Sequence, residues 1–481
     1  MPPVVAAVLC IIGILGVFYL DRDEKGRVSK AIWIPALWIF FCLSRPLSEW
    51  LGMSPTISLP DMYVEGSPID RALFEGLEIL ALIVVIMRRQ KLAPILRNNW
   101  AILLFFAYAG FSIFWSDYPF VTFKHWIKGI GDLLMVLIVL TEPSVSNAIE
   151  RLFTRLGFVL LPLSVLFIKY YPELGRKLTL SWTMEPVGVA EQKNSLGELC
   201  DFLGLVLLWR FRKTYMDRGN PNRKRHLVAL GAVLAMVVLL LWMCNSMTSI
   251  CALSMASIVM MLSTRPVFRR KPALVHLLVV VLLTLTFYGL FFQSSGSLIR
   301  SLGRNPTLTG RTDIWQTVLT IPNSRLFGTG YESFWLGRRL QIMWDAFPGL
   351  RLNEAHNGYV EILITLGWIG AALLGLLIVT GYTNIIRSYR RDPVWGSLRM
   401  ALFLSAIVTG LTEAAFRVMG PPWIAFLLAS AAPVYAAKKA VSRKRVHAQS
   451  PAAAKVLNTT REEVHAGYRS ASHLAGAGSQ V

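Results

Sequence analysis

Apolar residues occur in blocks of about 20 along most of the chain, and short polar stretches separate the blocks. Examples are residues 32–51, 227–243, 273–292 and 398–411. Each block is long enough, or nearly so, to cross a hydrocarbon core of roughly 30 Å as an α-helix. The pattern therefore predicts an all-α, polytopic membrane protein with about 12–13 transmembrane helices.

The predicted spans form one transmembrane helical bundle over residues 1–440. They lie near 3–20, 31–51, 71–87, 99–116, 126–141, 151–170, 194–209, 227–243, 248–263, 273–293, 356–386, 394–414 and 421–437. Residues 441–481 are rich in Ala, Ser and basic side chains and show no apolar periodicity. Such a segment does not bury a core, so we predict a disordered cytoplasmic tail.

Composition and charge agree with a membrane protein and predict its orientation. Only 16% of the 481 residues are charged, whereas soluble domains carry about 25%. The net charge of +21 arises mostly in alternate loops, at 88–91, 210–226, 269–271, 387–391 and after 438. The positive-inside rule makes these loops cytoplasmic and places the N-terminus outside. We therefore expect no nucleic-acid partner, and the five cysteines form no disulfide or CxxC pattern.

The longest polar interruption, residues 294–355, is predicted to be a large extracytoplasmic loop that bears short helices. Within it, Ile314, Val318 and Leu319 follow a helical spacing, and a second apolar group occurs in 331–344. Loops of this length are usually functional or disordered. We expect helices that lie over the mouth of the bundle; the alternative is a cap that only seals it.

Several cations are predicted on the extracytoplasmic face, against the positive-inside trend. They are Arg176, Lys177, Lys193, Arg300, Arg304, Arg311, Arg325, Arg338, Arg339, Arg351 and Arg417. Arg and Lys at such a position suit the phosphate oxygens of an anionic lipid headgroup, although any one of them is more often a solvated surface group. Lys193 begins a span and Arg311 follows a glycine at the start of a short helix, so these two are the strongest candidates.

The segment NEAHNGYVEILITLGWIG, residues 353–370, places a histidine and an asparagine at the start of an apolar helix. If the helix is continuous, His356 shares a face with Gly367 and Gly370, and a neighbouring helix packs closely there. A histidine near neutrality accepts a proton from a hydroxyl group. The alternative is an ordinary surface histidine, but Glu354, Asn357 and the basic loop favour a catalytic one.

Six motifs in order resemble the O-antigen ligase and polymerase superfamily, most closely its exopolysaccharide-polymerase branch. The strongest is HNGYVEILITLGWIG, in which His-Asn is followed by nine residues and then Gly-x-x-Gly. The others are FSIFWSDYP (111–119), GVAEQKNSLG (188–197), GRTDIW (310–315), GTGYESFW (328–335) and TEAAF (412–416). The resemblance covers roughly residues 110–420 and most of the chain.

The resemblance implies a C-type membrane glycosyltransferase fold and an enzyme of the bacterial inner membrane whose active site faces the periplasm. Such proteins transfer glycan from an undecaprenyl-diphosphate carrier to an acceptor hydroxyl, with inversion and with neither metal nor cofactor. His356 would be catalytic, and Lys193 and Arg311 would bind the donor diphosphate. Supporting residues would be Asn357, Glu354, Asn194, Thr248 and Glu413. Tyr331, Trp335 and Trp344 would either stack on sugar rings or form the core of the loop.

One departure from the family concerns the pattern Ser-Lys/Arg-Thr, where this chain has Met247 in SMTS. A methionine carries no charge for a phosphate, so either a loop arginine substitutes or the donor binds differently. The expected partners are the lipid-linked oligosaccharide, membrane lipid and, in a polymerase, a chain-length regulator and export proteins. Three alternatives stay open: an O-antigen ligase that transfers glycan to lipid A core, a flippase for lipid-linked oligosaccharide, and a structural scaffold.

Overall fold

A computed structural model describes residues 1–22, 28–53, 67–178, 182–291 and 310–433. The predicted tail and residues 292–309, which include Arg300 and Arg304, lie outside these ranges. The helices are α1 Pro3–Leu20, α2 Trp33–Leu43, α3 Leu47–Trp50, α4 Pro68–Met87, α5 Arg89–Asn98, α6 Trp100–Phe111, α7 Pro119–Leu140, α8 Val145–Tyr170, α9 Pro172–Gly175, α10 Lys193–Met216, α11 Arg223–Cys244, α12 Met247–Ser263, α13 Pro266–Arg270, α14 Ala273–Phe291, α15 Arg311–Thr320, α16 Gly337–Ala346, α17 Gly358–Arg391, α18 Pro393–Thr409 and α19 Pro421–Ser430. Two 3₁₀ turns, Lys30–Ile32 and Ser112–Phe114, and one antiparallel hairpin, β1 Arg176–Leu178 with β2 Met184–Pro186, complete the described elements.

The predicted class, an all-α polytopic membrane protein, is confirmed. In the described ranges, α1, α8, α11 and α17 are long and apolar enough to cross a membrane. The pair α5 and α6, with the 3₁₀ turn after it, qualifies as a fifth span if its 87° bend is counted within one span. Further predicted spans correspond to shorter apolar helices, α12, α18 and α19 among them, so the predicted count of 12–13 stays a prediction.

The helix α10 lies at the centre of the main core. It packs against α8, α11, α12 and α18, and most of its side chains from Leu196 to Arg210 are buried. A helix that is apolar on every side is expected to be surrounded in this way. Its buried carboxylate, Asp201, accepts a hydrogen bond from Ser405 of α18. The helix therefore connects two polar ends of the bundle through a buried and mostly apolar middle.

The two helices predicted in the large loop are present as α15 and α16. Ile314 and Val318 of α15 are buried with Met343 of α16 in a second, smaller core. This core rests on Ile364 in the first part of α17. Leu319, which the sequence pattern placed on the same face, is 53% exposed instead. The loop thus packs on α17 through its own apolar residues.

The prediction of one continuous helical face from His356 to Gly370 is wrong. The helix begins at Gly358, and His356 precedes it in a left-handed conformation with φ of 50°. Gly367 interrupts the helix with φ of 66° and ψ of −166°. A side chain does not fit there, since a Cβ on Gly367 would lie 2.2 Å from the carbonyl oxygen of Leu326.

The interruption exposes backbone groups that the segment 325–330 satisfies. Thr329 and Gly330 donate their N–H groups to the carbonyls of Ile364 and Thr365, at 3.1 and 2.9 Å. After the break, Trp368 donates to the carbonyl of Arg325 at 3.0 Å. Unpaired backbone groups are very costly in a membrane. The Gly-x-x-Gly motif therefore marks a break in α17, where backbone hydrogen bonds join the helix to the large loop.

Candidate functional site

The start of α17 is fixed by Asn357. Its side-chain oxygen accepts hydrogen bonds from the N–H groups of Tyr359 and Val360, at 3.0 and 3.1 Å. This is the capping role for which asparagine is favoured. Its amide nitrogen donates to the carbonyl of Leu411 at 3.1 Å. One residue thus ends the preceding loop, begins the helix and attaches both to the segment 410–420.

Gly358 brings the two segments into direct contact. Its N–H donates to the carbonyl of Gly410 at 2.9 Å. A Cβ on Gly358 would lie 2.8 Å from the ring of Phe416, so a larger residue would separate the segments. The sequence His-Asn-Gly therefore supplies a left-handed turn, a helix cap and a close approach in three successive residues.

His356 lies between two carboxylates. Its Nδ1 is 2.8 Å from an oxygen of Glu354 and 3.4 Å from an oxygen of Glu413. Both contacts become ion pairs when the imidazole is protonated. The side chain is 25% exposed, so it is open to a bound molecule.

Arginines flank both carboxylates. Arg311 contacts Glu413 at 2.9 Å and also donates to the carbonyl of Thr412. Arg417 contacts Glu354 at 3.1 Å. Beyond it lies a third carboxylate, Glu332, at 3.3 Å from Arg417. We call this row the charge chain; its members, in order, are Arg311, Glu413, His356, Glu354, Arg417 and Glu332.

Charges alternate in sign along the charge chain, and its side chains are only 6–25% exposed. Partly buried charges of opposite sign stabilise one another more strongly than exposed pairs do. With His356 protonated, three cations face three anions and the chain is neutral. Asn194 adds an uncharged donor to Glu413 at 3.0 Å.

This arrangement controls the protonation of His356. Burial favours the neutral imidazole, but the carboxylates of Glu354 and Glu413 outweigh it and raise the pKa of His356 to about 10. Burial also penalises the charged form of Glu354, but His356 and Arg417 outweigh that effect, and the pKa of Glu354 is lowered. At neutral pH His356 is therefore a cation in the resting site. A base role, one of the two expected for it, would require removal of a carboxylate.

The segment 410–420 is held at both ends by side chains from other helices. Near its start, Thr248 and Thr412 share a hydrogen bond of 2.8 Å between their hydroxyl groups. Near its end, the buried Asp132 of α7 accepts from the N–H of Met419 at 2.8 Å. Glu332 accepts from the N–H of Val418 at 3.2 Å. These bonds position Glu413 and Arg417.

A buried carboxylate in α17 positions the segment before His356. Glu361 accepts a hydrogen bond from the backbone N–H of Ala355. Both of its oxygens lie 3.1 Å from the indole nitrogen of Trp335. Glu361 thereby ties the smaller core to the residue directly before His356.

The structure does not bring every predicted site residue together. Lys193 is 41% exposed and pairs with Glu185 of the hairpin, so its side chain lies outside the charge chain. Tyr331 and Trp335 are 1% and 5% exposed in the two cores, and buried rings offer no face for a sugar. Their burial favours the alternative, a role in the core of the loop. Trp344 instead carries Arg351 over its ring at 4.7 Å.

Glu354, His356 and Glu413 also form a group that could hold a metal ion. One ligand atom from each lies within 4.8 Å of the others. Both carboxylates are already paired with arginines, and a metal would have to compete with those guanidinium groups. The expected absence of a metal stays a prediction.

Sequence reasoning missed three residues of this site. Arg417 was recognised only as one outer cation among many, although it follows the TEAAF motif by a single residue. Glu332 lies inside the GTGYESFW motif, which was interpreted through its aromatic residues. Glu361 lies off the helical face predicted for His356, yet a carboxylate within an apolar span is itself a signal of function.

These features define a multi-pass membrane protein with a neutralised charge chain at one end of its helical bundle. A family model described as O-antigen ligase matches residues 230–375, which include Arg311, Glu354 and His356 but end before Glu413. This match and one to a curated relative support the O-antigen ligase and polymerase superfamily. The chain is similar to the exopolysaccharide production protein ExoQ of Rhizobium meliloti (strain 1021), with 26% identity over 324 residues, 65% of this chain and 71% of the relative.

Proposed function

We propose that the protein polymerises lipid-linked exopolysaccharide repeat units at the periplasmic face of the bacterial inner membrane. It would transfer glycan from an undecaprenyl-diphosphate carrier to the hydroxyl of an acceptor repeat. The superfamily supports glycan polymerisation or ligation, and the name of the relative, exopolysaccharide production protein, favours polymerisation. The charge chain is the observation that carries the proposal.

The charge chain suits a multivalent anion. Arg311 and Arg417 offer guanidinium groups, which bind phosphate oxygens in a forked geometry. In the resting site Glu413 and Glu354 occupy these arginines. A donor diphosphate would displace both carboxylates and take their places. The exchange keeps the arginines ordered before the donor arrives and makes binding selective for an anion with at least two charges.

The same exchange prepares the chemical step. A carboxylate that loses its guanidinium partner becomes a stronger base, since an adjacent cation favours its charged form. The acceptor oxygen would attack the anomeric carbon, and the bond from that carbon to the phosphate oxygen would break with its electron pair leaving on the diphosphate. The acceptor proton would pass to a displaced carboxylate beside His356. Attack opposite the diphosphate would invert the anomeric centre.

His356 would act as a cation in this step. Its position between Glu354 and Glu413 lets it orient the acceptor hydroxyl and hold the proton-accepting carboxylate in place. Charges arranged before the reaction stabilise a transition state at little reorganisation cost. The developing charge on the leaving diphosphate would be stabilised by Arg311 and Arg417 instead of by a metal ion.

Arg417 also answers the question raised by Met247. The SMTS segment begins α12, where Thr248 contacts Thr412, five residues before Arg417 in the same loop. We infer that Arg417 supplies the second diphosphate-binding cation that other members carry at the position of Met247. Lys193, paired with Glu185, would contribute long-range attraction at the entrance and no direct contact.

The second candidate is transfer of a finished glycan to another surface acceptor, because the matching family model is described as O-antigen ligase. Both reactions use the same donor and the same chemistry. They differ in the acceptor. Growth of a single lipid-linked repeat into a ladder identifies the polymerase, whereas one transfer to a core lipid identifies the ligase.

The test uses the full chain in lipid nanodiscs with a synthetic undecaprenyl-diphosphate-linked repeat unit. We expect the wild-type protein to form a ladder and His356→Ala to form none. His276→Ala is the matched control, because His276 pairs with Tyr382 between α14 and α17 and should retain activity. Wild-type ladders from a folded His356→Ala protein would contradict the proposal. Loss of activity in EDTA with recovery in Mg²⁺ would contradict its metal-free form.

A further inference from the structure

A cavity of about 470 Å³ lies at the opposite end of α10 from the charge chain. The lining comes from the end of α1, the start of α8 and the end of α10. Asn194 and Arg210 are separated by 16 residues of helix, or about 24 Å at 1.5 Å per residue. The lining residues are Phe18, Asp21, Arg22, Asn147, Glu150, Arg151, Thr154, Arg155, Arg210 and Lys213.

Two of the five cations in the lining neutralise the two carboxylates. Arg210 contacts Asp21 at 2.7 Å and Glu150 at 2.9 Å. Lys213 contacts the other oxygen of Glu150 at 2.7 Å. These ion pairs neutralise both carboxylates of the cavity lining.

The other three cations are Arg22, Arg151 and Arg155. Within the described residues, no carboxylate lies within ion-pair distance of any of them. Arg22 lies 4.3 Å above the ring of Tyr19, and Arg155 lies 5.7 Å above the ring of Trp33. Arginines held against aromatic rings keep their N–H groups available for an anion.

A buried hydroxyl group in the lining indicates a ligand more specifically. Thr154 is 1% exposed, yet its hydroxyl has no hydrogen-bond partner among the described residues. Helical threonines commonly donate to the carbonyl of the preceding turn, and a buried polar group without a partner is costly. A phosphate oxygen in the cavity would accept from Thr154 and remove that cost.

The surroundings place the cavity at a membrane interface. Helix α1 has a single buried residue, Ala6, and its exposed apolar side chains, such as Val8, Ile12 and Leu15, suit contact with lipid. Trp33, beside Arg155, is 57% exposed, and tryptophan and arginine are both typical of the interfacial region. The end of α10 lies within the basic segment 210–226, which the positive-inside rule assigns to the cytoplasm.

We propose that this cavity binds a phosphate-bearing anion at the membrane face opposite the charge chain. Arg22, Arg151 and Arg155 supply the charge and Thr154 donates a hydrogen bond. Two sources have the required chemistry: the headgroup of an anionic phospholipid, and a soluble phosphate monoester. The cavity is separate from the candidate active site and does not depend on the proposed function.

The experiment uses the full-length protein, with phosphatidylglycerol and glycerol 3-phosphate as probes. Lipid retention is measured by native mass spectrometry from mixed micelles, against phosphatidylcholine as the neutral reference. Glycerol 3-phosphate binding is measured by titration calorimetry. We expect selective binding of at least one probe, with retained phosphatidylglycerol identifying the lipid source and glycerol 3-phosphate the soluble source. Binding of neither would overturn the proposal.

Two variants make the test specific. Thr154→Val keeps the volume but removes the hydroxyl, so affinity should fall roughly three- to tenfold while the unliganded protein keeps or raises its melting temperature. The triple change of Arg22, Arg151 and Arg155 to Gln should abolish binding. Its control is Arg269→Gln, Arg270→Gln and Lys271→Gln, three exposed cations at and beside α13. An equal loss of binding in this control would show that the probe responds only to general surface charge. That result would overturn the proposal.

Discussion

The two polar clusters at the ends of α10 differ in how far carboxylates balance their cations. In the charge chain every cation contacts a carboxylate, and the row is neutral when His356 is protonated. In the cavity at the other end, three arginines lack a carboxylate partner among the described residues. A neutral cluster would bind an anion only if the anion replaces its carboxylates. A cluster with unpaired cations would bind a single phosphate directly. This difference is the one we expect between a site that exchanges partners during a reaction and one that only holds a ligand.

Beyond His356→Ala, the largest effect is expected from Arg311→Ala. It removes a donor-binding guanidinium and leaves Glu413 facing His356 without its arginine. Loss of one preorganised charge contact commonly lowers kcat by about 10²–10³-fold, and we expect a loss of this size in ladder formation. Arg325→Ala is the control, because Arg325 is exposed in the same loop. An equal loss in both variants would remove Arg311 from the site.

The broken helix can be tested separately with Gly367→Ala. The new Cβ would meet the carbonyl of Leu326 in a left-handed backbone, and we expect a destabilisation of about 2–4 kcal/mol, seen as a lower melting temperature. Gly375→Ala in the same helix has open space around it and should change stability by less than about 1 kcal/mol. Ladder formation should fall in Gly367→Ala, while phosphate binding in the cavity of the folded fraction should not. Equal behaviour of the two variants would contradict the break.

The proposal that Arg417 compensates for the uncharged Met247 predicts that a cation at position 247 rescues the loss of Arg417. Arg417→Ala should reduce ladder formation about tenfold, as expected for a lost charged hydrogen bond. Adding Met247→Arg to that variant should restore part of the activity, because it returns a cation to the position where the family carries one. The pair is measured as a double-mutant cycle. If Met247→Arg lowers the activity of both backgrounds equally, the two positions do not share a role.

A smaller effect is expected from pH. The pKa of folded His356 lies above its ordinary value, so the stability it contributes is complete below about pH 6.5 and is lost as the pH rises through about 10. Between pH 6 and 8 His356 stays protonated, and activity should be nearly flat. An activity that rises through pH 6.5, and loses that rise in His356→Gln, would instead establish a neutral imidazole base.

The polar residues of compact motifs are the part of the candidate site that is easiest to predict from sequence. His356, Asn357, Arg311 and Glu413 belong to compact motifs whose spacing is visible in the chain. The helix break was missed because hydropathy at Gly367 is the same in a continuous and in a broken helix. The break depends instead on the backbone hydrogen bonds from Thr329 and Gly330 to α17, which are long-range contacts.

The aromatic residues show what cannot be predicted from sequence alone. Tyr331 and Trp335 resemble sugar-binding residues in composition, but whether a ring face is open depends on how the loop packs. Both rings are buried, and Trp335 positions Glu361 instead. Arg417 was visible as a cation, and only the fold of the segment 410–420 distinguishes it from the other outer arginines.

The most direct test of the account is the binding of a short polyprenyl diphosphate to Glu413→Gln. This change keeps the acceptor for Asn194 but removes the charge that occupies Arg311, so we predict roughly tenfold tighter binding together with slower ladder formation. Glu185→Gln, which releases Lys193 at the entrance, is the matched control and should change binding much less. Weaker or unchanged binding in Glu413→Gln would contradict the exchange of carboxylate for diphosphate on which the account rests.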